Sequence, residues 1–175
     1  MKDMALIIID MQTALLEAHP YDERTVVARI QRLLAECRKS GIPVIFVRHD
    51  GGAGDELERG CAGWEICSEL APKAGEKIID KAFNSAFRQT LLESHLQDLG
   101  IKTLILCGMQ TEYCFDVSCK VAFEKEYEVI VPRGTTTTFD NDHFSADKLV
   151  HYYEDKIWDK RYAAVKDVEE VLALF

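Results

Sequence analysis

The sequence predicts an α/β protein built on a mostly parallel sheet. Five apolar runs, at residues 4–9, 43–47, 77–80, 102–107 and 128–131, alternate with stretches of helical periodicity, the signature of repeated βαβ units. The first run, within ALIIIDMQ, is apolar on both faces, as a strand covered by two layers must be. Sheets of this kind place their ligands outside the carboxyl ends of the strands.

Taken in order, the first strand ends at Asp10. Val26, Ile30, Leu33, Leu34 and Cys37 then recur at helical spacing up to the stop Gly41-Ile42-Pro43, giving one amphipathic crossover helix. After the second strand, residues 49–76 hold HDGGAGDELERGCAGWEI, rich in glycine and without periodicity. They read as a long loop with at most a short helix, and loops of that length are usually functional. The third run leads into Lys81, and Ser85 to Leu99 reads as a helix closed by Gly100. The fourth is followed by a helix that begins near Thr111 or Glu112 and runs towards Glu126, with Val117, Val121 and Ala122 inward and Cys114 in its first turn. PRGTTTTF, after the fifth run, is too polar and threonine-rich for a helix. A helix from about Ser145 to Lys156, a short strand from Tyr162 to Val165 and a terminal helix complete the chain.

Length and composition bound the function. A chain of 175 residues without internal repeat or linker builds one core, so a single domain over 1–175 is expected. The net charge of −9 is spread without a basic stripe, which argues against nucleic acid as partner. No apolar run nears membrane-spanning length and no signal-like segment opens the chain, so a cytoplasmic protein without a membrane partner is expected. Of the six cysteines, Cys37 and Cys107 lie inside apolar patterns, and Cys61/Cys67, Cys107/Cys114 and Cys114/Cys119 are not CxxC pairs. Free thiols rather than a disulfide framework or a structural zinc site fit this pattern, and no metal or other cofactor is expected.

Three reactive side chains stand at three strand ends: Asp10, Lys81 and Cys114. Each has a plain reading, as a cap, a solvated charge and a small core residue. Together they read as a nucleophile, its proton-transfer partner and a cation that stabilises both charges. A helix N-terminus lowers a thiol's pKa and supplies N–H groups for an oxyanion, so Cys114 is expected as an activated thiolate. A Cys–His pairing through His49 or His143 is the second arrangement, ranked lower because neither histidine falls at the tip of a predicted strand. A phosphatase loop fails for want of an arginine after CFDVSCK, and DMQTALL replaces the glycines that a dinucleotide needs.

The aspartate of IIIDMQ, the lysine of DKAFNSAF and the cysteine of CGMQTEYC, in this order over nearly the whole chain, resemble the isochorismatase-like cysteine hydrolases, the superfamily of nicotinamidases and N-carbamoylsarcosine amidase. The resemblance implies a three-layer α/β/α sandwich with a six-stranded parallel sheet in the order 3-2-1-4-5-6. It implies a catalytic triad of Asp10, Lys81 and Cys114, a cis peptide between Met109 and Gln110, and an oxyanion hole formed by the backbone N–H groups of Gln110 and Cys114. The implied activity is hydrolysis of a carbon–nitrogen, amide-like bond of a small molecule through a thioester. A catalytically silent binding or scaffold domain of the same fold is the alternative. The histidines that hold a metal in nicotinamidases are not matched by FVRHDGGAGDELERG, which argues against a metal and against nicotinamide. Gln12, Trp64, Phe87 and Tyr113 are candidate pocket residues, and a homo-oligomer, dimer or tetramer, is implied.

Overall fold

The computed structural model describes residues 3–175. Seven strands form one sheet: β1 (Met4–Ile9), β2 (Val44–His49), β3 (Lys77–Lys81), β4 (Thr103–Met109), β5 (Glu128–Pro132), β6 (Thr136–Thr137) and β7 (Ala164–Lys166). Six lie in the order β3-β2-β1-β4-β5-β7, each parallel to its neighbour. This is the expected spatial order, renumbered because β6 adds a two-residue strand beside the end of β4.

Alternation along the central strands makes two cores. Ala5, Ile7 and Ile9 of β1 and Leu104 and Leu106 of β4 join one hydrophobic cluster, while Leu6, Ile8, Ile105, Cys107 and Met109 join the other. On the second face lie α1 (Thr13–Glu17), α2 (Glu23–Ser40) and α6 (Val168–Leu172), with Val26, Ile30, Leu33, Leu34 and Cys37 of α2 inward. On the first lie α3 (Leu92–Asp98), α4 (Asp116–Glu124) and the segment after α5 (Ala146–Tyr152), which contributes Trp158. Two-sided cover explains why these strands are apolar runs rather than alternating ones.

Two expectations change and one is extended. The helix over Ser85–Leu99 shrinks to Leu92–Asp98. Before it, the Ser85 hydroxyl takes the Phe87 N–H, Ser118 takes the Ala86 N–H, Thr90 takes the Leu92 N–H, and Gln89 adopts φ 56°. Such side-chain bonds satisfy backbone groups that a helix would otherwise claim. The threonine run is not helical, as expected, but it is buried and adds a strand that the sequence did not suggest: Thr135 to Thr138 are at most 1% exposed, and Thr136 and Thr137 pair with Gly108 and Met109. The second strand runs on to His49, placing that histidine at a strand tip.

The sheet's direction of winding reverses between β1 and β4, and the crevice at such a switch point is where ligands bind. The two strands pack closely there. Gly108, opposite Ile9, has φ 123°, and a Cβ on it would lie 2.0 Å from the Ile9 carbonyl oxygen. Only glycine fits that position.

Candidate active site

At the carboxyl ends of β1, β2, β3 and β4 a pocket of about 220 Å³ is lined by Asp10, Leu15, His49, Leu57, Asn84, Gln110, Tyr113 and Cys114. Asp10 follows β1 with φ 52°, a left-handed conformation that aspartate tolerates better than most residues. Cys114 lies in a π-helical turn, Thr111–Phe115, that leads into α4. That turn follows the peptide between Met109 and Gln110, which is cis, as the resemblance implied.

Lys81, on the edge strand β3, is the centre of the site. Its side chain is 0% exposed, and its Nζ lies 2.7 Å from Asp10 Oδ2, 3.0 Å from His49 Nδ1 and 3.2 Å from Cys114 Sγ. An ammonium has three donors and no acceptor, so all three are spent on these neighbours. His49 Nδ1 must therefore accept, which places its proton on Nε2. Burial and then the Lys81 charge hold the imidazole pKa below its ordinary value, which keeps the ring neutral.

Asp10 is 2% exposed. Burial raises its carboxyl pKa, against the opposing pull of Lys81. Its Oδ2 is held by Lys81, while Oδ1 is buried without a hydrogen-bond partner. The Cys114 thiol is pushed up to about 12, first by burial and then by the charge of Asp10, with Lys81 pulling back. This corrects the expectation of a resting thiolate: desolvation and a neighbouring carboxylate outweigh the helix end and the lysine. The resting cysteine is a thiol beside a basic carboxylate.

The other proposed pocket residues divide. Tyr113 is 52% exposed at the mouth. Gln12 is fully buried and lines no wall. Its amide donates to the His49 and Trp64 carbonyls and accepts from the His49 N–H, tying the tips of β1 and β2 to the long loop. Trp64 packs beneath that loop, with the Arg48 guanidinium 3.5 Å from its ring centroid. Phe87 sits in the core beside Tyr127 and faces a neighbouring cleft rather than the reaction pocket. His143 lies on an exposed bend, with its backbone N–H on Asn141 Oδ1, and does not line the reaction pocket.

Sequence reasoning undervalued His49 and passed over Asn84, whose Oδ1 is 3.8 Å from Cys114 Sγ. The register that pairs His49 with Lys81 was available only as two adjacent strand ends. Donor atoms of Asp10, His49 and Cys114 lie within 4.8 Å of one another, a spacing that could suggest a metal. The Lys81 ammonium already stands among them, and a second cation does not fit that arrangement.

Relatives of known sequence and structure match most of this chain. A streptothricin hydrolase of Streptomyces noursei is 31% identical over 139 residues, covering 78% of this chain and 50% of the relative. The chain thus spans about half the length of that relative and 55% of a second streptothricin hydrolase of the same species. An isochorismatase family protein of Bacillus subtilis, YddQ, is 32% identical, covering 81% of each chain. The crystal structure of an isochorismatase from Pseudomonas putida KT2440 superimposes with a TM-score of 0.90 at 28% identity, covering 97% of this chain and 90% of that one. Residues 4–159 match the family model described as the isochorismatase domain, and the chain belongs to the isochorismatase family.

Proposed function

We propose that the protein is a cysteine-dependent hydrolase of a small molecule's amide-like carbon–nitrogen bond. One observation carries the reading: a buried lysine holds a carboxylate at 2.7 Å and a thiol at 3.2 Å on the wall of one small pocket. Family relatives named as amidohydrolases support the bond type.

The free Oδ1 of Asp10 takes the thiol proton as Cys114 Sγ attacks the substrate carbonyl carbon. Backbone N–H groups of Gln110 and Cys114 receive the oxygen's developing charge. The C–N bond breaks as Asp10 returns its proton to the departing nitrogen, leaving a thioester on Cys114. Water then attacks the thioester and gives a proton to Asp10. The carboxylic acid leaves, and Cys114 regains its proton. Lys81 remains bonded to both partners throughout, and neutral His49 offers its Nε2–H as a donor.

The test is a screen of small amides, ureas and lactams with wild type and Cys114→Ala, with intact mass recorded during turnover. Any compound hydrolysed by wild type should survive the variant, and an acyl adduct should map to Cys114. Turnover by a folded Cys114→Ala would remove the proposed nucleophile.

A further inference from the structure

We infer that the substrate bears a carboxylate on an apolar or aromatic arm, and that the cleft beside the reaction pocket receives this arm. The inference rests on the amide-hydrolase reading of the same site and names its substrate class.

The reaction pocket, at about 220 Å³, has room for little more than the reacting group. A cleft of about 780 Å³ adjoins it, and the two share His49 and Asn84 as a common wall. The cleft is lined by apolar Phe83, Phe87, Val117 and Val121 and by two cations, Arg88 and Lys125, with no carboxylate among its lining residues. Acidic residues outnumber basic ones 30 to 21 in this chain, so a cationic recess next to the cysteine runs against the general field.

The two cations differ. Lys125 is bound to Glu93 at 2.6 Å. Arg88 has no ion pair among the described residues; its guanidinium stacks on Phe83 with 4.0 Å to the ring centroid. Stacking occupies the face of a guanidinium and leaves its edge donors, the fork that matches a carboxylate, free for a ligand. Val117, Val121 and Lys125 follow Cys114 at helical spacing, so the cleft leads away from the nucleophile along α4. Val121 lies about 10 Å along that helix at 1.5 Å per residue. An arm lying in this cleft has Val117, Val121 and Phe87 for apolar walls and Arg88 as its unpaired cation.

Two cysteine alkylators test this without knowledge of the substrate. 4-(Iodoacetamido)benzoate and N-phenyliodoacetamide share the reacting carbon and the ring, and only the first carries a carboxylate. Saturation kinetics of Cys114 alkylation, read by peptide mapping, should give the carboxylate probe a KI about tenfold lower. In Arg88→Gln the ratio should collapse to about one, and Arg88→Lys, which keeps the charge, should restore part of it. Equal KI values in wild type, or a ratio unchanged in Arg88→Gln, would overturn the inference while leaving the hydrolase reading intact. Where the resting thiol labels too slowly to read, the same ratio is taken in Asp10→Asn, in which a ratio of one would equally overturn the inference; the hydrolase reading fails separately, by turnover that survives in Cys114→Ala.

Discussion

Replacing Asp10 by Asn should accelerate alkylation of Cys114 while abolishing hydrolysis. Asn is nearly isosteric and tolerates the left-handed backbone at this position. The substitution removes a negative charge within 4.8 Å of the sulfur. At an effective dielectric of about 20, one charge at that distance is worth about 3.5 kcal/mol, or about 2.5 pKa units. The thiol, held at about 12 in wild type, should fall to about 9 to 10 in the variant. Near pH 8 the thiolate fraction rises about 300-fold, while the lower basicity cuts its intrinsic nucleophilicity about tenfold, so labelling should quicken about 30-fold. The assay is iodoacetamide labelling near pH 8 with peptide mapping, using Cys61 as the internal reference. A folded Asp10→Asn protein that labels at the wild-type rate or more slowly would refute the electrostatic account of this thiol.

Three further perturbations probe the scaffold. Lys81→Met leaves Asp10 buried without its cation, raising its folded-state pKa further. A raised carboxyl pKa gives stability that is lost as pH rises through it, so the variant's deficit should grow between pH 5 and 8, towards about 3 kcal/mol or more. Urea midpoints at the two pH values measure this, and a pH-independent deficit would show that the carboxylate is not charged in the native site. Gly108→Ala drives a Cβ into the Ile9 carbonyl, so a loss above about 3 kcal/mol, or no soluble protein, is expected on expression and thermal melting. For Glu76, burial acts against the charged form, but bonds from Arg38 Nε and Nη2 and from the Lys73 N–H hold the carboxyl pKa below its ordinary 4.5. Glu76→Gln should cost about 1 to 2 kcal/mol at neutral pH, a difference that disappears as pH falls below 4.5 through the depressed value, as paired denaturation curves will show.

Much of the fold was legible because burial on both faces writes itself as uninterrupted apolar runs, as in β1 and β4. Asp10, Lys81 and Cys114 were legible for a related reason: each breaks or follows such a run at the end where chains converge. The thiol's protonation was not legible, because it depends on the distance from Cys114 to a carboxylate more than a hundred positions away. Gln12 misled for the same reason. Its place two residues after Asp10 suggested the pocket, yet its amide turns inward to bridge β2 and the loop. The segment from Ser85 to Thr90 carried a helical apolar pattern, and only the hydroxyl bonds to its backbone show why it stays irregular.

The three-way grip of Lys81 has a consequence for what the site can do without solvent. With a charged lysine, a charged aspartate, a thiol and a neutral imidazole, the buried cluster sums to zero. Moving the proton from sulfur to Asp10 relocates the negative charge around a fixed cation and leaves that sum unchanged, so no net charge is ever placed in the low-dielectric interior. The role also demands a tripod: three donors diverging from one atom towards partners on three different strands or turns. A planar guanidinium cannot diverge that way, so arginine, although also cationic, is a poor substitute at position 81.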